Sequence, residues 1–346
     1  MRILIVVPHQ SPISGNWISA SRFQDGLEKH GHQVALHGTE LQPTSTFRQR
    51  LLEFSPDVAI LLHAYRSGKP WLEAANKLKI PYVILLTGTD VNHGLDDPEQ
   101  SEVIRTVMRR AAFVLLQNPL IAAELVNSHP ELTGNLCVLS SGIILGNAPY
   151  ALRRIHALDE NKTLFLCPAG LRPVKGVLEL LEMFEQVAQK SSTCHLAFCG
   201  PILDESYSRR FLTALEKKPW ASYLGTIPPE AMASALRGAD VVVNNSQTEG
   251  LANALLEAAS LGLPILARRI SGNAAVVKHG TNGLLYDNEM EFSQYALQML
   301  NRGYREQLSC PERERYSPDN ETAALMTLLQ EASTMSPVES GIQNRI

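Results

Sequence analysis

Cysteine is scarce: the five residues Cys137, Cys167, Cys194, Cys199 and Cys310 include no C-x-x-C pair. An odd count without a spacing framework excludes a disulfide-stapled secreted scaffold and favours a reducing compartment, so a cytoplasmic location is expected. Cys167, Cys194 and Cys199 fall in apolar, strand-like stretches and read as small core residues. Long hydrophobic runs are also missing. Nothing approaches the span of a transmembrane helix, which leaves peripheral membrane contact open. The opening "MRILIVVPHQ" is too short for a signal peptide and reads as a first buried strand. Neither charge sign dominates: the net charge is -4 and the pI is near 6.2. That balance gives no electrostatic case for a nucleic-acid partner. No repeat of solenoid period and no low-complexity tract is present. No cluster of His, Cys and Asp has metal-ligand spacing, and "TGTD" does not follow the D-x-D pattern, so no required metal or other cofactor is expected. No Ser-His-Asp set or nucleophile elbow appears, which argues against a serine hydrolase.

What is present is an ordinary globular balance, 45% hydrophobic and 19% charged over 346 residues, enough for two cores. Apolar runs at 3–7, 33–37, 58–62, 82–86, 113–117 and 136–139 read as strands separated by helical stretches. Near-continuous apolar strands alternating with helices imply a parallel sheet covered on both faces, a Rossmann-like doubly wound unit. The segment "NAPYALRRIHALDENK" has no sustained period and places a boundary near 149–161. Beyond it the alternation restarts, with strands in "TLFLCPAG", "HLAFCG", "SYLGTI", "DVVVNN", "PILAR" and "GLLYD". Helices are expected over 251–261, near 273–279 with Lys278 and His279 at its end, and over 289–302 and 319–334. The expected division is 1–150 and 151–318, with the helix 319–334 free to pack back on the first domain and a frayed tail at 335–346.

Two stretches carry chemistry. In "PAGLRPVKG" a strand ends, a glycine turn follows, and Arg172 and Lys175 stand just before a helix. A forked guanidinium and a compact ammonium beside a helix N-terminus suit a diphosphate; two solvated basic residues in a loop read equally well. In "NSQTEGLANALLEAASLGLPILAR" Glu249 leaves a strand and Glu257 sits eight positions on, within an apolar helix. Gly250 permits close backbone approach to a ligand. A carboxylate accepts two hydroxyl protons at once, so each glutamate suits a vicinal diol, one on a ribose and one on a hexose. An N-cap acid and a snorkelling surface acid are the plain alternative, weakest for Glu257, because a glutamate among alanines and leucines is costly without a partner. Two cations and two diol-binding acids at strand exits of one unit describe a nucleotide-sugar site.

"GLRPVKG" followed by "TEGLANALLEAASLGLPILAR" resembles the retaining GT-B glycosyltransferases of family 4. The resemblance implies an α/β fold of two Rossmann-like doubly wound domains facing across a cleft, and hexosyl or N-acetylhexosaminyl transfer. It implies that Arg172 and Lys175 bind the donor diphosphate, that Glu249 touches the donor sugar and Glu257 the ribose. The backbone of Leu251, Ala252 and Asn253 would line the phosphates or sugar, with Gly200 and Gly250 completing the donor set. Arg172, Lys175 and Glu249 form the catalytic set. The co-substrate is a nucleotide-sugar, UDP-linked for preference, and the acceptor is an unidentified small molecule or glycan. "GNWISASR", "LLHAYRSG", "LTGTDVN" and "SGNAAVVKHGTNGLLY" are similar to glycosyltransferase 1 domain-containing proteins, and "GNW" and "TGTD" also to a bacterial selenosugar synthase. Joining selenophosphate or thiophosphate to a UDP-sugar is thus one alternative, and a catalytically silent nucleotide-sugar-binding protein another.

Acceptor-side candidates follow strands of the first domain. Gly15, Asn16 and Trp17 open a helix, where Asn16 serves equally as an N-cap and Trp17 as packing. His63 and Arg66 follow "VAILLH"; Thr87, Gly88, Thr89 and Asp90 follow "YVILL"; Gln117 ends a further strand. Gly272 and Asn273 stand at a helix start of the second domain. The hydroxyl–glycine–carboxylate run at 87–90 is also ordinary turn chemistry.

Overall fold

The computed structural model describes residues 1–8, 15–40, 43–88, 90–132 and 134–335, without the side chains of 92 and 93. Thr89 and the expected tail from 336 onward lie outside the described residues. The chain divides into two compact units, one built from Met1–Gly142 and the stretch that begins at Ser317, the other from Ile143–Tyr316.

In the first unit the apolar runs become β1 (Arg2–Val7), β2 (Gln33–Gly38), β3 (Val58–Leu62), β4 (Tyr82–Leu86), β5 (Phe113–Leu116) and β6 (Leu136–Val138). They form one parallel sheet in the order β2-β1-β3-β4-β5-β6. Every residue of β3 and β4 is buried, as a sheet covered on both faces requires. Alternate side chains serve opposite layers. Leu4 and Val6 pack with α2 (Thr44–Phe54), α3 (Gly68–Ala74), α4 (Ser101–Arg110) and α5 (Pro119–Ser128). Ile3, Ile5 and Val7 pack with Phe23 and Leu27 of α1 (Gly15–Lys29) on the other face.

The second unit opens with a four-residue turn of helix, α6 (Leu152–Ile155), inside the aperiodic stretch. Then come β7 (Thr163–Pro168), α7 (Val177–Lys190), β8 (Cys194–Cys199), α8 (Glu205–Leu215), β9 (Ala221–Tyr223) and α9 (Pro229–Arg237). After these come β10 (Val241–Asn244), α10 (Asn253–Leu261), β11 (Ile265–Arg268), α11 (Ser271–Ala274), β12 (Gly283–Tyr286), α12 (Glu289–Gln298) and α13 (Arg302–Gln307). The sheet is again parallel, ordered β12-β11-β10-β7-β8-β9. Leu164, Leu166 and Cys199 face α9 and α10, while Phe165, Cys167 and Phe198 face α7, α8 and α12. Burial pushes the Cys167 thiol up to about 12 and Cys199 further, so both stay neutral core residues.

The chain enters this unit at Ile143, whose N–H donates to the carbonyl of Tyr316, where it leaves, at 3.0 Å. α14 (Pro318–Thr334) then returns to the first unit, placing Leu325, Leu329 and Ala332 beside Phe23 and Leu27.

Two expected helices end differently. The one near 273–279 stops at Ala274, because the Asn282 amide accepts the Lys278 N–H at 2.8 Å and donates to the Val276 carbonyl at 3.1 Å. Lys278 and His279 therefore do not cap it: Lys278 Nζ reaches Glu312 at 3.1 Å, and His279 Nδ1 accepts from Leu285 N–H at 3.0 Å. The stretch 289–302 breaks after Gln298, and Asn301 caps a separate helix through Tyr304 N–H at 3.1 Å.

Candidate functional site

The second unit places charged side chains at the carboxyl ends of its strands. After β7, Arg172 is extended and Pro173 opens a single 3-10 turn that closes at Gly176. Gly176 has φ +57°, and a Cβ there would stand 2.6 Å from the Asn245 carbonyl oxygen. Only glycine brings this loop against the exit of β10. Two hydrogen bonds lace the loops together: Asn245 Nδ2 donates to the Gly176 carbonyl at 2.7 Å, and Gln247 N–H to the Val174 carbonyl at 2.9 Å. Tyr286 OH donates to Asn245 Oδ1 at 2.6 Å and fixes that amide from below.

This lacing sets Lys175 against Glu249. The Lys175 ammonium pairs with Glu249 Oε1, which also accepts from Ser246 Oγ at 2.7 Å. Both side chains are largely buried, at 18% and 13% exposure, so the pair is only weakly screened. Glu249 Oε2 has no protein partner among the described residues. Arg172 lies beside this pair in sequence, exposed, and its guanidinium has no partner among the described residues.

α10 begins two residues later than expected, at Asn253, with Ala252 at the N-cap in an extended conformation and no capping side chain. Leu251 and Ala252 therefore precede the helix, and its uncapped positive end follows the loop that leaves β10. Glu257 stands about one turn in. Its carboxyl is half-buried and makes no hydrogen bond to a described residue; burial raises its pKa from 4.5 to about 7. Its charge adds to the upward push that burial gives the Cys199 thiol at the end of β8. Gly200 donates its N–H to the Gly225 carbonyl at 2.9 Å and accepts from Tyr223 OH at 2.6 Å.

Gly272 and Asn273 are placed behind this constellation. A Cβ on Gly272 would stand 2.5 Å from the Glu249 carbonyl oxygen, so the glycine lets α11 brace Glu249. Asn273 is fully buried, and its Nδ2 donates to Asn244 Oδ1 at 3.1 Å and the Arg268 carbonyl at 2.9 Å. Asn273 thereby ties the exits of β10 and β11 together. Asn245 and Ser246, which hold the two loops, were missed. Their signal was a polar triplet, "NNS", directly after a valine strand.

In the first unit, Gly15, Asn16 and Trp17 form the first turn of α1, so Asn16 is inside the helix and not its N-cap. Trp17 is half-buried against the α1–α14 layer. His63 is buried with φ +79°, and its Nδ1 accepts from the N–H groups of Tyr65 and Arg66 at 3.3 and 3.2 Å. Accepting there places the proton on Nε2, and burial lowers the pKa from the ordinary histidine value against the pull of Asp90, 3.9 Å away. Asp90 is fully buried and accepts from Ala64, Thr87 and Gly88 N–H groups at 2.9, 2.9 and 3.0 Å. Its oxygens tie the exits of β3 and β4 together and anchor both loops. Arg66 pairs with Glu40, its Nε at 2.5 Å. Gln117 donates to Glu321 of α14 at 2.6 Å and is held inside its own unit.

Among the described residues no helix is long and apolar enough to cross a membrane, and no group of three His, Cys, Asp or Glu side chains could hold a metal ion.

Residues 151–317 match the family model of the glycosyl transferases group 1. The fold is GT-B. This GT-B chain superposes on Anabaena HepE, solved with UDP and glucose, with a TM-score of 0.75 at 16% identity, covering 95% of this chain and 99% of that one. Sucrose-phosphate synthase of Thermosynechococcus elongatus gives a TM-score of 0.83 at 14% identity, over 96% and 99%. In sequence, the GT-B chain is 27% identical to glycosyltransferase 1 domain-containing protein 1 of Xenopus tropicalis, over 83% of this chain and 84% of that protein. It is 26% identical to the D-inositol 3-phosphate glycosyltransferase of Pseudarthrobacter chlorophenolicus, over 65% of this chain and 57% of that protein.

Proposed function

We propose that this chain is a metal-independent, retaining glycosyltransferase that moves a sugar from a UDP-sugar to an acceptor bound by the first unit. The observation that carries the reading is the half-assembled constellation at the strand exits of the second unit. Arg172 is unpaired, Lys175 is held on one oxygen of Glu249, and Glu257 is half-buried without a partner. Each has capacity left for a ligand. Arg172 and Lys175 take the diphosphate, whose oxygens gain charge as the bond to the sugar C1 breaks. The free Oε2 of Glu249 accepts donor-sugar hydroxyls, and Glu257 accepts the ribose diol. The start of α10 and the backbone of residues 251–253 face the phosphates. The acceptor atom bonds to C1 on the side the diphosphate leaves, and the leaving phosphate oxygen takes its proton. Similarity to group 1 glycosyl transferases and the fold shared with a UDP-bound neighbour support the donor class.

The test is a calorimetric panel of nucleotide sugars, followed by mass spectrometry of products with hydroxyl, thiophosphate and selenophosphate acceptors. Binding of a UDP-sugar and release of UDP are expected. A chain that binds no nucleotide sugar overturns the reading, and a selenium- or sulfur-linked product redirects the acceptor.

Glu257 gives a pH prediction. Its folded pKa is about 7 against an ordinary 4.5, so its contribution to stability is fully present below about pH 4.5 and is lost as pH rises through 7. The loss is at most about 3 kcal/mol. Glu257→Gln is expected to remove that part of the decline between pH 5 and 8.5 in urea titrations. A ribose diol stabilises the carboxylate, so UDP-sugar binding by the natural chain strengthens as pH rises through 7, and binding by the variant stays flat. A parallel pH dependence in the two chains would sink this role.

A further inference from the structure

The second unit carries another charged concavity, at the amino ends of its strands. A groove of about 890 Å³ runs past Thr163 at the start of β7, Asp240 before β10 and Pro264 before β11. β7 alone is about 20 Å long, so the groove and the strand-exit constellation lie at opposite edges of one sheet. Six cations line it, Arg153, Arg154, Lys162, Arg237, Arg302 and Arg305, against three carboxylates, Glu160, Asp240 and Glu306.

Each carboxylate has an arginine within ion-pair distance. Asp240 accepts from Arg153 Nη2 at 2.6 Å and Arg305 Nη2 at 3.2 Å, Glu160 stands 3.7 Å from Arg153, and Glu306 stands 3.0 Å from Arg302. Arg153 is fixed further by the carbonyls of Gly238, Asp159 and Lys162, and Arg305 by those of Met299 and Leu300. Arg153 and Arg305 are therefore tied into the floor, and Asp240 answers both. Arg154, Lys162 and Arg237 have no side-chain partner among the described residues. The positive field reaches into the protein: His195 is lowered to about 4, first by burial and then by Lys162 and Arg153. An overall charge of -4 conceals this local excess.

We infer that this groove is a second anion site, which takes a phosphate-bearing group between Arg154, Lys162 and Arg237. Three cations lining one groove, none with a side-chain partner among the described residues, suit an anion with several oxygens. The volume lies within the range of small-molecule sites. Two sources present that chemistry, a free phosphorylated metabolite and a phospholipid headgroup.

Inorganic tripolyphosphate serves as the soluble probe, in calorimetry at low salt. The Arg172→Ala/Lys175→Ala background keeps the strand-exit constellation from contributing. Adding Arg154→Glu, Lys162→Glu and Arg237→Glu is expected to weaken tripolyphosphate binding by about tenfold or more, and the matching glutamine set by less. None of the three side chains has a partner to lose, and circular dichroism melts verify that both sets fold. Equal affinity in the folded parent and folded charge-reversed chains overturns the proposal, as does a background chain that binds no tripolyphosphate. Sedimentation with phosphatidylcholine vesicles, with and without phosphatidylglycerol, separates the sources. Groove-dependent capture by the anionic vesicles assigns a headgroup; tripolyphosphate binding without such capture assigns a soluble ligand. A failed donor reading shows itself independently, as unchanged UDP-sugar binding in the background chain.

Discussion

Replacing Arg172 and Lys175 together by alanine is expected to weaken UDP-sugar binding by about 100-fold to 10,000-fold, from two charge-assisted contacts of roughly 1.5–3 kcal/mol each. The two halves of that loss differ in kind. Arg172 has no partner among the described residues, so its removal costs the protein nothing and the ligand a forked contact. Lys175 is already paired with Glu249, so its removal also leaves a largely buried carboxylate answered only by Ser246 Oγ at 2.7 Å. That carboxylate then faces the incoming diphosphate with like charge. Lys175→Ala alone should consequently be the more damaging single change, and adding Glu249→Gln to it should recover part of the affinity. Calorimetry on the singles, the double and the Lys175→Ala/Glu249→Gln pair resolves this. If the Arg172→Ala/Lys175→Ala chain binds a UDP-sugar as tightly as its parent, the diphosphate lies elsewhere.

How far the sequence carried this site depends on how local each feature is. The strands were legible because two covered faces demand unbroken apolar runs, and 58–62 and 82–86 coincide with β3 and β4. Arg172, Lys175, Glu249 and Glu257 were legible as residue types at strand exits. Their interplay was not: Lys175 and Glu249 stand 74 positions apart, and no spacing rule reaches that far. Helix ends failed where a side chain from the following loop took over the backbone, as Asn282 does at Val276 and Lys278. Asp90 and Gln117 carried the right chemistry for a ligand, yet the fold had prior use for both. Asp90 holds three backbone N–H groups, and Gln117 reaches across 204 positions to Glu321. A polar residue after an apolar strand announces only that it sits at the sheet's edge. Whether it faces a ligand depends on which loop folds over it.

Glu321 supplies the largest expected change in stability. It is 1% exposed and binds Arg22 of α1 through both oxygens, at 2.5 and 3.0 Å, while Gln117 donates to it at 2.6 Å. Arg22 is itself buried at 4% exposure, so Glu321→Ala leaves a guanidinium without its countercharge and should cost the first unit about 3–5 kcal/mol. The pair need not be stabilising in itself. Desolvating two charges offsets most of their attraction, so Arg22→Met/Glu321→Leu should return to within about 2 kcal/mol of the natural chain, with Gln117 turning to solvent. Of the three tryptophans, Trp17 and Trp71 belong to the first unit and Trp220 to the second. Urea titrations followed by fluorescence in a Trp220→Phe background therefore report on the first unit. A Glu321→Ala chain as stable as its parent would show that α14 is held by Leu325, Leu329 and Ala332 alone. Since the proposed donor constellation belongs wholly to the second unit, UDP-sugar affinity should stay within about twofold in folded Glu321→Ala protein, separating the loss of a helix anchor from the loss of a binding residue.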